Sequence, residues 1–576
     1  MSPREALKTY FGYDDFRPLQ SEIIDSVLAG KDTLALMPTG GGKSICFQVP
    51  TLVMAQENEN KRLCLVITPL IALMRDQVAN LEARDIHAAA VYTGMSFDKQ
   101  RVALDNCLYG PYHFLYCSPE RLESEEFRKR LVDLPIGLIA VDEAHCISQW
   151  GYDFRPSYLN IAAVRELLPD VPILALTATA TPETIDDIQD KLGFRERNVL
   201  RKSFHRENLQ YIVRYTDNKP EQLAHILSRV PGSAIVYVRN RKRAQELAEW
   251  LNTQYSNLNT QYYHAGLTTK ERNERQEAWT RGDTRVIVAT NAFGMGIDKP
   301  DVRLVIHYDL PSHLESYYQE AGRAGRDGQT AYAVLLFNPQ EDPAKIRKRI
   351  VDTYPPKEFV ESVYHKTMDF LQVGAGSGLG HRFALHIDQL CHVMKLPVLQ
   401  TYSALHILTH AGYIDFEEEH ETQPRVQILV PRHQLGEYNL SYEQAELLDV
   451  LMRSYTGIYT DLQYVREADE KNQQSPISNH QLLVSLAQRG IITYIPRSIG
   501  CSLTMTNERQ TEIYLSPVIF EQRQERFIAK INAMLEYAEQ NQFCREQVLL
   551  AYFGETNASV CGHCDVCRER ASHPDR

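Results

Sequence analysis

Six residues near the start of the chain, 39–44, combine glycines with a lysine and a serine. They are Thr39, Gly40, Gly41, Gly42, Lys43 and Ser44. They follow a predicted strand and open a predicted helix, where backbone N–H groups and the positive end of the helix dipole attract phosphate. The lysine charge suits β- and γ-phosphates, and the serine hydroxyl can bind Mg²⁺. The segment therefore predicts a phosphate loop for a nucleoside triphosphate.

Two acidic residues, Asp142 and Glu143, follow an apolar run at 138–141 that predicts a buried strand. The carboxyl ends of parallel strands share one edge of a sheet, so these carboxylates can reach a metal held by Ser44. We expect Asp142 to bind Mg²⁺ through water and Glu143 to activate the attacking water.

Two arginines, Arg323 and Arg326, stand three residues apart in a glycine-flanked segment later in the chain. On a predicted helix this spacing places both on one face. They are predicted to reach across a cleft to the γ-phosphate as arginine fingers. An exposed arginine pair is usually only solvated surface, but the preceding nucleotide site and the flanking glycines favour the catalytic interpretation.

Short apolar runs that alternate with helical stretches must position these residues. The first set lies at 33–37, 63–67, 114–116, 138–141 and 173–176, and the second at 234–238, 285–289, 304–306 and 331–336. Such runs, bounded by turn residues, are typical of buried parallel strands with helical crossovers. The sequence predicts an α/β fold with two doubly wound parallel-sheet lobes in tandem, 1–205 and 206–345, joined near 203–208.

The alternation of strands and helices stops near residue 339. Two helix-helix-strand patterns follow, at 388–416 and 478–495, and each ends in a glycine and an aliphatic strand. They predict a winged-helix-like α+β region at 350–510 with two copies of the pattern. An amphipathic helix at 517–537 then leads to the last part of the chain.

Four of the 11 cysteines, Cys544, Cys561, Cys564 and Cys567, crowd the C-terminus, and the other seven are scattered singly. The four form two interlocking Cys-x-x-Cys spacings and one distant thiolate. Four thiolates suit a closed tetrahedral Zn²⁺ site with no open position for catalysis. We therefore expect structural zinc in a helical module at 517–570; His563 is an alternative ligand that the complete quartet makes unnecessary.

The composition excludes several classes of protein. With 576 residues, 43% hydrophobic and 24% charged, the chain is neither one small binding module nor wholly disordered. No run of about 18 apolar residues lacks charge, and the N-terminus lacks a signal pattern, so we expect a soluble cytoplasmic protein with no membrane partner. The single cysteines agree with free thiols in a reducing compartment. The net charge of −12 disfavours a surface that binds nucleic acid everywhere but permits a local basic groove near 239–243.

These motifs resemble those of superfamily 2 helicases and, more specifically, of the RecQ family of DNA helicases, over 8–340 and again over 523–567. Met37 stands where a phosphate loop usually begins with glycine, which matches the helicase form of the loop. The segment 11–20 is similar to the family's adenine-recognition segment. The resemblance implies RecA-like lobes that bind ATP, with Gln20 on the adenine edge and Tyr13 and Arg17 on either side of the ring.

One segment, 148–156, resembles the aromatic-rich loop with which the family couples single-stranded DNA binding to ATP hydrolysis. There Trp150, Phe154 and Arg155 would supply stacking faces and a cation. Tyr152 stands where the family usually has histidine, which preserves stacking but not a polar role of that histidine.

Other segments resemble those with which the family holds DNA phosphates or orders the nucleotide site. The resemblance implies phosphate contacts by Thr68, Ser118 and Thr290, which follow predicted strands. It also implies that Asp298 helps to order the nucleotide site.

The resemblance implies an ATP-dependent helicase that moves 3′ to 5′ on single-stranded DNA and unwinds duplex DNA in repair or recombination. ATP, Mg²⁺ and Zn²⁺ would be its cofactors, and a bacterial protein would be associated with the nucleoid. Single-strand-binding or repair proteins are conceivable partners that the sequence does not identify.

Two alternatives stay open: a DNA-stimulated translocase or remodeller that does not separate strands, and an RNA helicase. The first is open because the family usually places its zinc module directly after the second lobe, whereas residues 350–520 intervene here. No strand-separating hairpin is identified in the sequence.

Overall fold

The structure is a computed structural model, and it describes all residues except 39, 93–94, 96, 149–154, 295–298, 418–424, 456, 460–462, 466–478, 496–500 and 574–576. It divides into two compact units, residues 1–347 together with 526–576, and residues 348–525. The first unit contains two parallel-sheet lobes and the segment 526–573, called the C-terminal module below. Within the described ranges, no helix is both long and apolar enough to span a lipid bilayer.

The first lobe is a seven-stranded parallel sheet covered by helices. Its strands are β1 (Thr33–Leu36), β2 (Leu63–Ile67), β3 (Ala88–Val91), β4 (Phe114–Cys117), β5 (Ile136–Val141), β6 (Ile173–Thr177) and β7 (Val199–Arg201). Its helices are α1 (Pro3–Ala6), α2 (Gln20–Leu28), α3 (Ile45–Glu57), α4 (Ile71–Glu82), α5 (Phe97–Tyr109), α6 (Glu125–Val132), α7 (Ile161–Leu167) and α8 (Pro182–Lys191). The strand order is β3-β4-β2-β5-β6-β1-β7. Strands β1, β2, β4, β5 and β6 are buried along their whole length, because helices cover both faces of the sheet.

The second lobe is a six-stranded parallel sheet. Its strands are β8 (Leu209–Tyr215), β9 (Ser233–Tyr237), β10 (Thr260–Tyr263), β11 (Val286–Ala289), β12 (Val302–His307) and β13 (Ala331–Phe337), in the order β10-β11-β9-β12-β13-β8. Its helices are α9 (Lys219–Arg229), α10 (Arg241–Gln254), α11 (Thr269–Arg281) and α12 (Leu314–Ala321), and α13 (Asp342–Thr353) follows. The predicted α/β fold with two parallel-sheet lobes is confirmed.

The second unit is one winged helix with another inserted into it. The outer one consists of α14 (Lys357–Phe370), β14 (Arg382–Leu385), α15 (Ile387–Met394), α16 (Val398–His410), β15 (Ile414–Glu417) and β19 (Cys501–Met505), and its sheet order is β14-β19-β15. The inserted domain, 425–495, contains β16 (Arg425–Ile428), α17 (Tyr442–Ser454), β17 (Gln463–Tyr464), α18 (Asn479–Gln488) and β18 (Ile492–Ile495). It lies between β15 and β19, which are antiparallel neighbours with Glu417 opposite Ser502. The pattern predicted at 388–416 is present as α15, α16 and β15. The pattern predicted at 478–495 has one helix, α18, before β18, because the other helix of the inserted domain, α17, lies earlier in the chain. The inserted domain is nested in the wing of the outer one.

The C-terminal module packs against the second lobe. It comprises most of α19 (Glu521–Glu539), then α20 (Arg545–Tyr552) and α21 (Asp565–Ser572). The Val213 N–H donates to Oδ2 of Asp565 at 3.2 Å, and Arg568 donates to Gln210 at 2.6 Å. Both contacts fall on β8, so the module extends the second lobe.

Candidate functional site

The phosphate loop connects β1 to α3, as the sequence predicts. Helix α3 begins at Ile45, and the side chain of Ser44 makes no capping hydrogen bond, so its hydroxyl is available to a ligand. A Cβ on Gly41 would lie 2.9 Å from the carbonyl oxygen of Pro38, so only glycine fits there. The loop is thus a close-fitting backbone cradle suited to phosphate. Thr39 lies outside the described residues.

The side chains of Arg17 and Gln20, which precede this loop in sequence, donate hydrogen bonds to its backbone carbonyls. Nη1 of Arg17 donates to the carbonyl of Gly40 at 2.6 Å, and Nε2 of Gln20 donates to that of Gly42 at 3.0 Å. Oε1 of Gln20 accepts the backbone N–H of Arg17 at 2.8 Å. The segment 11–20, predicted to recognise adenine, is therefore hydrogen-bonded to the predicted phosphate loop, while Tyr13 is half exposed. Their roles toward adenine stay predictions.

Glu143 and its neighbours form a buried polar cluster at the end of β5. The backbone of Glu143 is left-handed, with φ of 47°, and its N–H donates to Oδ1 of Asp142 at 3.0 Å. Nδ1 of His145 lies 3.4 Å from Oε2 of Glu143 and 2.9 Å from the hydroxyl of Thr177. The hydroxyl of Tyr158 donates to the carbonyl of Asp142 at 2.9 Å. The acidic pair is therefore held rigidly, and His145 connects it to β6.

The two carboxyls of this pair differ in their electrostatics. Burial, with the adjacent charge of Glu143, raises the pKa of Asp142 to about 6. Burial alone would also raise the pKa of Glu143, but the charges of Lys43, His145 and Arg323 outweigh it and lower that pKa below its ordinary value. Glu143 is thus the more readily ionised carboxyl, as a group that takes a proton from water must be.

Residues of both lobes line one cavity of about 450 Å³. From the first lobe it receives Gly40, Gly42, Lys43, Ser44, Asp142 and Glu143, and from the second Gly294, Gln319, Arg323 and Arg326. A Cβ on Gly40 would lie 3.3 Å from the side chain of Arg326, so this arginine packs on the phosphate loop. Arg323 is buried and donates to the carbonyl of Gly294. The predicted residues Lys43, Ser44, Asp142 and Glu143 and the arginine pair therefore line the same cavity, whereas Tyr13, Arg17 and Gln20 are not among its described lining residues.

The arginine pair, Arg323 and Arg326, does not lie on a helix face. Helix α12 ends at Ala321, and a turn containing both arginines follows. Gly325 in this turn has φ of 63°, and a Cβ there would lie 2.4 Å from Nδ2 of Asn208, so a glycine is required and the helix does not continue. The expectation of a common helix face was wrong, whereas the expected approach to the loop across the cleft is present.

The residues predicted to contact DNA are only partly described. Trp150, Phe154 and Tyr152 lie outside the described residues, as does Asp298 of the nucleotide site. Thr68 and Ser118 follow β2 and β4 but are buried, and their hydroxyls have no hydrogen-bond partner within the described ranges.

Two further residues that were predicted to contact DNA, Thr290 and Arg155, each make a backbone hydrogen bond to a neighbouring segment. Thr290 is buried at the end of β11, where its N–H donates to Tyr263 at 3.2 Å. Arg155 is half-buried, and its N–H donates to Cys146 at 2.9 Å. Their DNA contacts stay predictions.

The cysteine quartet has the geometry of a tetrahedral metal site. The four Sγ atoms lie within 4.8 Å of one another, and the pairs Cys561–Cys567 and Cys544–Cys564 are both 4.0 Å apart. Tetrahedral Zn²⁺ with Zn–S bonds of about 2.3 Å requires a separation of about 3.8 Å. Backbone N–H groups of Cys561, Cys564 and Cys567 donate to cysteine sulfurs at 3.3–3.4 Å, which offsets thiolate charge. The residues therefore fit structural Zn²⁺.

His563, the alternative ligand, contacts the second lobe. Its Nε2 lies 3.3 Å from the carbonyl oxygen of Leu209 on β8, where it connects the metal-binding segment to the second lobe. A ring nitrogen of His563 also lies within 4.8 Å of Sγ of Cys561 and of a carboxylate oxygen of Glu546, so the prediction that the four cysteines alone complete the set stays a prediction.

Family models match four parts of the chain. The DEAD/DEAH box helicase model matches residues 17–188, and the helicase conserved C-terminal domain model matches 218–328. The RecQ zinc-binding model matches 508–568, and the model of the RecQ helicase winged-helix domain of Bacteroidota matches 426–496. The last match falls almost entirely within the inserted domain.

The probable ATP-dependent DNA helicase RecS of Bacillus subtilis (strain 168) is 40% identical over 339 residues, which span 58% of this chain and 67% of RecS. The chain belongs to the RecQ family of helicases. The ATP-dependent DNA helicase RecQ of the same strain is 45% identical over 58% of this chain and 56% of that protein. RecQ of Pasteurella multocida (strain Pm70) is 42% identical over 58% of this chain and 52% of that protein. The match thus spans about half the length of these two RecQ proteins.

Among solved structures, the crystal structure of the DUF1998 helicase MrfA bound to DNA is similar, with a TM-score of 0.51 and 19% identity. The likeness covers 61% of this chain and 50% of that one. At this identity it supports the two-lobed fold of this RecQ-family chain and nothing finer.

One contributor to the site was not among the predicted residues. His145 belongs to the Asp-Glu-Ala-His motif but was given no role, although it contacts both Glu143 and Thr177. The motif itself was the signal, because its fourth residue stands on the same strand end as the acidic pair.

Proposed function

We propose that this protein is an ATP-dependent DNA helicase of RecQ type that moves 3′ to 5′ on single-stranded DNA and separates duplex strands. The observation that carries the proposal is the convergence of Lys43 and Glu143 from one lobe and the arginine pair from the other on a single cavity. A site shared by two lobes can convert hydrolysis into relative movement of the lobes. The relatives named as ATP-dependent DNA helicases share this core at 40–45% identity.

In the proposed reaction each residue of the cavity has a distinct task. Lys43 and the loop N–H groups hold the β- and γ-phosphates, and the arginine pair offsets the negative charge that develops on the γ-phosphate. Glu143 accepts a proton from the attacking water, and its low pKa keeps it ionised for this task. Ser44 and Asp142 line the same cavity and would hold Mg²⁺, which supplies charge neutralisation between the phosphates.

DNA contact is proposed to be independent of base sequence. Hydroxyls such as those of Thr68 and Ser118 can bind phosphate, and aromatic side chains such as Trp150 and Phe154 can stack on bases. Thr68 and Ser118 are buried, and among the described residues their hydroxyls have no hydrogen-bond partner; we propose that the two segments move outward when they contact phosphate. Such movement would accompany a change in lobe arrangement.

The cellular role is part of the same proposal. A helicase of this type would act in DNA repair or recombination, and single-strand-binding or repair proteins are its proposed partners. A cytoplasmic location, associated with the nucleoid in a bacterial cell, agrees with seven buried single thiols, which are Cys46, Cys64, Cys107, Cys117, Cys146, Cys391 and Cys501.

The test is to measure ATP turnover and unwinding together on matched duplexes with a 3′ DNA tail, a 5′ DNA tail or a 3′ RNA tail. We expect turnover with strand separation only on the 3′ DNA tail. Stronger stimulation by the RNA tail would support an RNA helicase instead.

One observation favours a second candidate, a DNA-stimulated translocase or remodeller without strand separation. Residues 348–525 carry 15 Lys and Arg against 22 Asp and Glu, a net charge of −7, and neither α16 nor α18 contains a charged residue. A winged helix that binds duplex DNA normally places cations on its recognition helix. DNA-stimulated turnover without separation on the 3′ DNA tail would select this candidate.

A further inference from the structure

Arg206 in the segment between the lobes binds the turn that carries the arginine pair. Its Nη2 donates to the carbonyl of Ala324 at 3.1 Å and to that of Gly325 at 3.0 Å. Nδ2 of Asn208 donates to the same Gly325 carbonyl at 2.6 Å and to that of Gln329 at 2.8 Å. Two side chains of the interlobe linker, 203–208, thus fix the backbone of one turn.

The bound carbonyls lie between the two arginines in sequence. Ala324 and Gly325 directly separate Arg323 from Arg326, and the N–H of Gly325 donates to Val302 on β12 at 2.9 Å. The turn is therefore held on β12 by this bond and by the Arg303–Asp327 ion pair, and on the linker by the Arg206 guanidinium and the Asn208 amide. A change at the linker would shift both arginines together, because the residues between them are held as one piece.

The linker is itself fixed by the C-terminal module. Oε1 of the buried Glu546 accepts the backbone N–H of Arg206 at 2.9 Å and lies 2.8 Å from Nδ1 of His205. The second carboxylate, Glu555, accepts the N–H of Phe204 at 2.7 Å and the hydroxyl of Ser203 at 2.7 Å.

An aromatic cluster supports the same contact. The ring of Phe204 packs against those of Phe553 and Tyr318, with distances between ring centres of 5.1 Å and 5.6 Å, respectively. Tyr318 lies on α12, the helix that precedes the arginine turn, and its hydroxyl donates to Phe204 at 2.8 Å. The linker is consequently clamped between the C-terminal module and the arginine turn.

We infer that Arg206 is a positioning residue for the arginine pair, and that Glu546 of the C-terminal module holds Arg206 in place. The inference rests on the proposed ATP hydrolysis and deepens it, because it assigns the C-terminal module a part in setting the nucleotide site. The module contributes no group to the cavity; it acts through the linker backbone, the Arg206 guanidinium and two carbonyls of the arginine turn.

The test compares the full-length zinc-loaded protein with its Arg206→Ala variant in steady-state ATP hydrolysis, with and without single-stranded DNA. We expect kcat to fall at least about tenfold while KM for ATP changes little, because the arginine pair acts on charge that develops in the transition state. Arg206→Lys keeps a donor that can reach one carbonyl and should restore part of kcat. Arg214→Ala, at an exposed arginine of β8, is the matched control and should resemble the unaltered protein.

A double substitution separates positioning from general damage. In the Arg326→Ala background, Arg206→Ala should lower kcat by a smaller factor than it does in the unaltered protein, since one of the two groups on which Arg206 acts is gone. Glu546→Gln should lower kcat in the same direction with full zinc content, and it keeps the test possible where Arg206→Ala does not fold.

Two sets of results would overturn the inference. One is an unchanged kcat in Arg206→Ala. The other is full additivity of the effects of Arg206→Ala and Arg326→Ala on kcat. Absence of ATP turnover in the unaltered protein would instead reject the proposed function, so the two failures are distinguishable.

Discussion

Nζ of Lys43 lies 3.7 Å from Oε1 of Glu143, and both side chains are largely buried. This ion pair joins the phosphate loop to the end of β5, two segments of the chain that meet only because their strands share one sheet edge. In the proposed site the lysine serves the phosphates and the glutamate serves water. We propose that the γ-phosphate is attacked beside this pair.

Replacing Lys43 by Ala should abolish ATP hydrolysis but leave measurable DNA binding. The substitution removes the charge that holds the β- and γ-phosphates, whereas the proposed DNA contacts lie on other segments. We expect turnover to fall by at least about a hundredfold, measured by phosphate release, with single-strand binding followed by fluorescence anisotropy. Retained turnover would refute the site.

Replacing Glu143 by Gln should separate ATP binding from hydrolysis. Glutamine has the same shape and leaves the loop and Lys43 in place, but it does not accept a proton from water. We expect kcat to fall about 10²- to 10⁴-fold with ATP affinity nearly unchanged. Glu166→Gln, at an exposed glutamate of the same lobe, is the control. Parallel losses of affinity and kcat would show that Glu143 acts only in binding.

Asp32 should make the first lobe sensitive to acid. Its buried carboxylate accepts bonds from Arg165 at 2.6 Å, from Nε of Arg195 at 3.0 Å and from the N–H of Ile173 at 2.9 Å. Burial alone would raise the pKa of Asp32, but the hydrogen bonds from Arg195 and Ile173 and the charge of Arg165 hold it below its ordinary value.

The low pKa of Asp32 determines the direction in which the stability of the lobe changes with pH. The stabilisation is fully present above the pKa of about 3.9 that an unfolded aspartate has, and it is lost as pH falls through the lower folded value. Asp32→Asn should therefore cost about 3 kcal/mol of unfolding free energy at pH 7 and progressively less below about pH 4. Urea unfolding of both proteins at several pH values measures this difference. A difference that does not depend on pH would show that the Asp32 charge does not stabilise the lobe.

Removing zinc should loosen the C-terminal module before the two lobes unfold. The metal would connect the segment around Cys544 to the turn 561–567, and Arg545 between them is fully buried against Asp565 at 3.0 Å. We expect about one zinc per chain by elemental analysis. Cys564→Ser or a chelator should remove it and produce a new low-temperature transition in calorimetry. Cys501→Ser, at a cysteine outside the quartet, should keep the zinc. An unchanged melting profile without bound metal would contradict the zinc assignment.

In the two parallel-sheet lobes, the sequence predicts the central strands better than the edge strands. In these lobes, the four strands that were not expected are β3, β7, β8 and β10, and each lies at an edge of its sheet. An edge strand is paired on one side only, so it can carry residues such as Gln210, Arg214 and Gln261 that break an apolar run. The central strands have longer apolar runs, although Arg303 interrupts that of β12.

The nucleotide residues were predictable because chemistry restricts them to short motifs. The role of Arg206 was not, because it donates to backbone carbonyls more than a hundred residues away, and any sequence can supply those. The turn that carries the arginine pair was misassigned as helix because Gly325 has a left-handed φ of 63° and is closely surrounded by Gln329, Ala331 and Asn208, which the spacing of the two arginines does not reveal.

Removal of the inserted domain should leave the rest of the chain folded. The buried core of the outer winged helix is formed by residues such as Tyr364, Leu405 and Leu503, and the inserted domain has a separate core around Leu448 and Leu486. Because Glu417 of β15 is already paired with Ser502 of β19, replacing 418–500 by Asn-Gly should close a hairpin between them with the three-residue loop Asn-Gly-Cys501.

We expect the shortened protein to melt within about 3 °C of the intact one and to keep its DNA-stimulated ATP turnover within about twofold, because no residue of the nucleotide cavity is removed. Unwinding of the 3′-tailed duplex then reports on the inserted domain alone. Its loss with turnover retained would show that strand separation depends on the domain nested in the wing. An aggregated product would contradict the independence of the two cores, and expression of 425–495 as a separate protein is the control for that outcome.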